Sequence, residues 1–387
     1  MFYDFFDFQR RQWDTWLGLA RQTGALPPLV AAQAELIRRS IGSSRHDAMT
    51  LEDAVRHDLA APVEIQELAS PSAFTRLLGF RRGRGQPRVL YVAPYSGYAT
   101  SVSSALVASL GDVIVTDWVD ARNVPLSDGP FGLDQQVRLV AGLVAGMDSS
   151  PILVGLSQSG PAVLAGCLLA HSRGCALPAG IILLGSPVDT RGSAGSIQLW
   201  LDMLPKGALE NQVVATVSDR FPGAGRKVYP GLCQLMAYAA ANPAGYFQTQ
   251  AGLWGELMSG VSGPYERMHD DMHRLIDVPG ELFCDMISRV LRRSELACGT
   301  MRVDGVTIDL RQLADVPLLT VEARMDELVG KGQTHALHEL AATAERHDPA
   351  RVRLDIDGGH EALFVGPDFV RDVAPTLQAF IAAIHPS

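Results

Sequence analysis

Short apolar runs bounded by turn residues alternate with longer amphipathic stretches over most of the chain beyond Arg88. The run from Arg88 to Tyr95 predicts a buried strand, and Ser96 and Gly97 turn it into a helix from about Thr100 to Leu110. A second strand fits Asp112 to Thr116, and a helix fits Leu133 to Met147. A strand at Ile152 to Val154 leads through a tight turn into an apolar helix from Pro161 to Leu169, and another buried strand spans Gly180 to Gly185. Strands that alternate with helices and are apolar throughout imply a mostly parallel sheet covered by helices on both faces.

After Asp189 this alternation stops for over a hundred residues, leaving scattered Pro and Gly with helical pieces near Leu232 to Ala241 and Pro279 to Arg293. It resumes with a strand at Pro317 to Glu322, a helix at Gln333 to Glu345, a strand at Val352 to Ile356 and a closing helix at Pro367 to Ile384. The irregular middle therefore interrupts one sheet. The expected organisation is a helical N-terminal extension (1–85), a first core segment (86–187), a largely helical cap insertion (188–315) and a second core segment (316–387). The extension ends in a basic loop from Arg81 to Arg88.

Composition narrows the classes. With 387 residues, 47% of them hydrophobic, the chain can bury a large core. Its formal net charge of -9 and lack of long Lys/Arg runs argue against nucleic-acid binding. Five cysteines, an odd number without paired C-x-x-C spacing, suggest free thiols in a reducing compartment rather than disulfides or zinc ligands. No apolar stretch approaches the ~20 residues that a membrane span requires. At the N-terminus Asp4 and Asp7 precede Arg10 and Arg11, the reverse of a secretory signal, so a cytoplasmic location is expected.

The turn after Val154 reads Gly155-Leu156-Ser157-Gln158-Ser159-Gly160, close to G-x-S-x-G but with its second glycine one residue late. A serine between a buried strand and a helix is held in a sharp turn with its hydroxyl exposed, as a nucleophile requires. Ser157 as a helix cap is the plain alternative, but a cap does not require glycines at both Gly155 and Gly160. A serine hydroxyl needs a base, and the base needs a carboxylate to orient it. Asp326 follows the predicted strand at Pro317 to Glu322 and His360 the one at Val352 to Ile356, in the order Ser, Asp, His that characterises the α/β-hydrolase fold. Glu327 competes with Asp326, and Asp117, Asp120 and Asp189 stand at other strand ends. The backbone N–H of Gln158, with that of Tyr95 or Ser96, is the expected oxyanion hole. Trp118, Tyr98 and Trp254 are candidates for substrate contact, as are Trp200 and Tyr246.

These residues lie in a sequence that resembles the intracellular polyhydroxyalkanoate depolymerases over nearly its full length. The resemblance rests on Met1 to Arg10, Val92 to Gly97, Thr116 to Leu126, Gly185 to Arg191, Tyr229 to Gly231, and Gly359-His360. It implies an α/β-hydrolase that cleaves poly(3-hydroxybutyrate), with the nucleophile at Ser157, the acid at Asp326 and the base at His360, and without metal or organic cofactor. Members of the family typically carry Cys followed by Gln-Pro where this chain has Ser157-Gln158-Ser159, and the loop after Ser96-Gly97 is shorter and lacks a His they often show. Related polyester synthases use cysteine in the same turn, so Ser157 points toward hydrolysis. The implied partner is a polyester polymer or storage-granule surface. Phe2, Phe5, Phe6, Trp13, Trp16 and Leu17 can share one helix face that docks on it, with packing against the protein's own core or a homo-oligomer contact as the alternatives. A small-ester or 3-hydroxybutyrate-oligomer hydrolase, and a granule-associated protein that has lost catalysis, are the competing functions.

Overall fold

The computed structural model describes residues 2–22, 27–41, 50–59, 62–83, 88–95, 101–193, 195–203, 205, 207–273, 275–342 and 350–384. Three helices open the chain: α1 (Phe2–Gln22), α2 (Pro28–Ile41) and α3 (Leu51–Asp58). Thr50 caps α3 by accepting the N–H of Asp53. Next come β1 (Glu64–Leu68), β2 (Thr75–Arg81), β3 (Val89–Val92), α4 (Ser101–Leu110), β4 (Val113–Trp118), α5 (Leu133–Ala145), β5 (Ile152–Leu156), α6 (Gly160–Ser172) and β6 (Gly180–Leu184). They belong to an eight-stranded sheet ordered β1-β2-β4-β3-β5-β6-β12-β13, in which β1 and β2 run antiparallel to their neighbours and the remaining pairs are parallel.

The strands β1 and β2 correct the expected helical extension of residues 1–85. Leu77, Leu78 and Phe80 are buried between β1 and β4, which extends the parallel sheet by two strands. A four-residue apolar run flanked by arginines does not distinguish strand from helix in sequence.

Between β6 and the last two strands lie α7 (Ser196–Met203), α8 (Ala208–Val213), β7 (Ala215–Thr216), β8 (Lys227–Tyr229), α9 (Gly231–Ala241), α10 (Pro243–Ser259), α11 (Pro264–Met272), β9 (Val278–Pro279), α12 (Gly280–Asp285), β10 (Arg302–Val303) and β11 (Val306–Thr307). The sheet closes with β12 (Leu318–Ala323) and β13 (Arg351–Ile356), separated by α13 (Ala336–Leu340) and followed by α14 (Ala374–Ile384). The helix α13 starts three residues later than the expected Gln333, because Gly332, Thr334 and His335 direct their N–H groups to the carboxylate of Glu322.

All five residues of β5 and all five of β6 are buried, as strands covered on both faces must be. Every residue of α6 from Gly160 to Ala170 is buried too. It packs on α5 so closely that a Cβ at Gly166 would sit 2.6 Å from Val140. On the other helical layer α4 packs with α3 and α14.

The segment from β6 to β12 is joined to the core by buried polar groups. Arg226, 2% exposed, donates to the carbonyls of Val124, Pro125 and Gly129 and lies over the Phe74 ring at 4.9 Å. Asp120 accepts from Arg122 (2.9 Å) and from the N–H of Asp277 (3.2 Å), and Asp277 accepts the N–H of Gly231 (2.8 Å). Two stretches that carry the family resemblance, Thr116 to Leu126 and Tyr229 to Gly231, therefore meet at this seam. No described helix is long and apolar enough to cross a membrane.

Candidate active site

The strand β5 delivers Ser157 into a backbone conformation that few serines adopt, with φ at +52°. A short 3-10 turn, Ser157–Ser159, then opens directly into α6. Ser159 explains the irregular motif. Its buried hydroxyl donates to the carbonyl of Leu156 and accepts the N–H of Leu156, both at 2.9 Å, and so stitches the turn shut. Glycine is needed one place later. A Cβ at Gly160 would lie 2.5 Å from Ser186, and one at Gly155 would lie 3.1 Å from the Gly160 Cα. The two glycines let the start of α6 approach β5 and β6.

Asp326 lies in the loop after β12, and its Oδ1 accepts the N–H groups of Leu328 (2.8 Å) and Val329 (2.9 Å). This holds the carboxylate in place while Oδ2 meets His360 Nδ1 at 2.7 Å. The neighbouring loop is laced to it, since Arg324 and Met325 donate their N–H groups to Ile356 and Gly358. His360 opens a short turn after β13, is 3% exposed, and packs edge-on against Phe364. Burial works against its protonation, but the charge and hydrogen bond of Asp326, helped by Glu327 and Glu361, outweigh it and hold its pKa above the usual 6.5.

Directly after β6, the strand between β5 and β12, comes Gly185, whose φ of +48° suits glycine. A Cβ there would meet Leu363 at 2.4 Å, His360 Cε1 at 3.0 Å and Asp326 Oδ2 at 3.3 Å. Gly185 thus leaves room for the Asp326–His360 pair beside the end of β5. In the sequence Gly185 closes a predicted strand and belongs to the family resemblance, and neither pattern marks it as a neighbour of the triad candidates. Glu361 is a second unforeseen neighbour. Its carboxyl accepts the Tyr238 hydroxyl of α9 at 2.6 Å, and burial raises its pKa while that hydrogen bond opposes the rise.

The rival acids hold partners other than the His360 ring nitrogens. Glu327 accepts the backbone N–H of His360 at 3.1 Å. Asp117 pairs with Arg76, and burial still pushes its carboxyl up to about 6. Asp120 binds Arg122, and Asp189 binds Arg191.

Of the expected substrate contacts, Trp118 needs correction. Trp118 is buried, its indole N–H donates to the Ala93 carbonyl (2.7 Å), and its ring stacks on Tyr95 at 4.8 Å. Its aromatic surface is spent in the core. Tyr95 has no exposure either, and its hydroxyl donates to the Val119 carbonyl at 2.7 Å. What remains of Tyr95 for an oxyanion is its backbone, at the same sheet edge as Gly155, the register partner of Val92. Ser96 and Tyr98 lie outside the described residues. Trp254 is partly buried in α10, with its Nε1 shielded from solvent. Tyr246, also in α10, lies near the ring of His273. The side chain of Trp200 is outside the description.

Residues 185–385, more than half of the chain, match the protein family described as PHB de-polymerase C-terminus. No curated protein matches the sequence. Among solved structures, the chain is similar to a putative lipase from Acinetobacter baumannii (12% identity, TM-score 0.46, covering 88% of this chain and 100% of that one). It is also similar to a monoacylglycerol lipase from Paleococcus ferrophilus (12% identity, TM-score 0.45, 84% and 100% covered). An esterase from Rhodococcus shows 20% identity and a TM-score of 0.42, with 83% and 98% covered. The family match, carried on a mostly parallel eight-stranded α/β-hydrolase sheet, makes this chain an ester hydrolase that belongs to the PHB depolymerase family.

Proposed function

We propose that this protein hydrolyses the ester bonds of poly(3-hydroxybutyrate) or a closely related polyhydroxyalkanoate through a Ser157-His360-Asp326 triad. The observation that carries the proposal is the 2.7 Å contact of Asp326 with a His360 that lies against Gly185, the residue after β6, while Ser157 in its left-handed turn follows the paired strand β5. In this reading His360 Nε2 removes the Ser157 proton as Oγ attacks an ester carbonyl, and Asp326 stabilises the imidazolium that forms. The N–H of Gln158 and an N–H from the loop after β3, that of Tyr95 or Ser96, receive the oxyanion. His360 then protonates the departing alcohol, leaving an acyl group on Ser157. Water attacks that ester with His360 again as base, and a 3-hydroxyalkanoate monomer or oligomer leaves. This cycle uses the chain's own residues.

A water-insoluble polymer must be reached at a surface. On α1, Phe5, Phe8, Trp16 and Leu19 are exposed, and their spacing places them on one arc of the helix. The aromatic stripe expected from sequence is divided: Leu17 is buried, Trp13 is partly buried, and Phe5 and Trp16 remain outside. The side chains of Phe2 and Phe6 are outside the description. We assign the exposed arc to contact with the granule.

The test is hydrolysis of amorphous poly(3-hydroxybutyrate) granules by wild type and Ser157→Ala, with product sizes measured. The variant should lose activity by a factor on the order of 10⁴ or more while staying folded. Full activity in the variant would remove Ser157 from the mechanism. Turnover of soluble esters without any of granules would replace the polymer with small esters as substrate.

A further inference from the structure

Away from Ser157, a second cluster of chemistry-bearing side chains lies on the outer strands. Glu322 of β12 and Asp355 of β13 are register partners on parallel strands, so their carboxylates leave the same face side by side. Like charges so placed repel. His335, from the turn before α13, stands between them. Its Nε2 is 3.6 Å from Asp355 Oδ1 and 3.9 Å from Glu322 Oε2. Both distances exceed hydrogen-bond reach, and this nitrogen is shielded from solvent with no hydrogen-bond partner. All three atoms lie within 4.8 Å of one another.

That spacing suits a shared cation. An ion about 2.0–2.2 Å from each of three ligands sets them roughly 3.3–3.6 Å apart in a tetrahedral arrangement, so the two His335–carboxylate distances of 3.6 and 3.9 Å are already near that span, and the two carboxylate oxygens, within 4.8 Å of each other, draw together on binding. The surroundings orient the ligands. Glu322 is held by the N–H groups of Gly332 (2.7 Å), Thr334 (2.8 Å) and His335 (2.9 Å). His335 Nδ1 is 2.7 Å from Thr320 Oγ1, which is itself 2.8 Å from His338 Nε2. When Thr320 donates to His338, its oxygen accepts the Nδ1–H of His335. The Nε2 lone pair of His335 then faces the two carboxylates, the outer-shell arrangement common to metal-bound histidines.

We propose that Glu322 Oε2, His335 Nε2 and Asp355 Oδ1 bind one divalent transition-metal ion of the zinc class, with water in the remaining position. Asp355, whose side chain is 42% exposed, gives the ion its entry. The site binds two strands to the segment that follows the Asp326 loop, so the ion acts on the stability of that edge and takes no part in ester cleavage. The expectation that no metal is present came from cysteine spacing and from the needs of the reaction; this site involves neither.

Chelator-treated full-length protein titrated with zinc sulfate in a calorimeter should bind one ion per chain. Asp355→Ala, and separately His335→Gln, should each weaken that binding by about tenfold or more. Zinc should raise the unfolding temperature of the wild type and not that of Asp355→Ala. The Co²⁺-loaded protein should lack a thiolate charge-transfer band. Absence of saturable binding, affinity unchanged in both variants, or a thiolate band placing the metal on a cysteine would overturn the proposal.

Discussion

His360 is buried beside three carboxylates, and the net result is a pKa above 6.5. This has opposite consequences for catalysis and stability. In the proposed mechanism His360 is the general base and must be neutral, so kcat/KM should rise with pH through a midpoint above 6.5. A histidine whose folded pKa exceeds its unfolded one binds its proton more tightly when folded. Its contribution to stability is fully present below the unfolded value and is lost as pH rises through the folded value. Unfolding temperature measured across that window should therefore fall in the wild type, relative to His360→Gln, as activity climbs. Tyr238→Phe tests the surrounding charges. Loss of its hydrogen bond raises the Glu361 pKa further, weakens the support that Glu361 gives to protonated His360, and should move the acid limb of kcat/KM toward lower pH. An unmoved limb would leave Asp326 and Glu327 as the groups that matter.

The strand-turn-helix unit from Ile152 to Ser172 was legible because an apolar strand, a flanked serine and an apolar helix follow one another without interruption. Its fifth motif position was not, since a hydroxyl bridging Leu156 is invisible to spacing. Ser159→Ala would leave the buried Leu156 N–H without that acceptor, a cost of about 1–3 kcal/mol. Urea unfolding should show it as a lower midpoint with an unchanged slope. Ester hydrolysis should fall as well, because the left-handed turn of Ser157 depends on its neighbours for support. The strands β1 and β2 illustrate the opposite case. Their identity depends on β4, which lies more than thirty residues from β2 in sequence and pairs with it from Phe80–Val113 to Thr75–Trp118.

For the molecule as a whole, the seam at Arg226, Asp120 and Asp277 joins the segment between β6 and β12 to the core through buried polar bonds. Tyr238 carries the same segment to Glu361, next to His360. The exposed arc of α1 is a separate surface. Replacing Phe8 and Trp16 with serine should reduce co-sedimentation with granules while leaving hydrolysis of soluble p-nitrophenyl esters at the wild-type rate. Equal granule binding by this variant would assign polymer contact to another surface.

Order along the chain was enough to specify the parallel core, the interrupting segment and the candidates Ser157, Asp326 and His360, because burial on both faces and strand-end placement leave local patterns. Tertiary contacts decided the rest. Trp118 reads as a substrate contact until its indole N–H finds Ala93, and Gly185 reads as a strand terminus until His360 and Leu363 close around it. Glu322, His335 and Asp355 form no motif because strand register and a turn bring them together. Local pattern records what a residue needs from its immediate chain, whereas distant partners are set only when the sheet assembles.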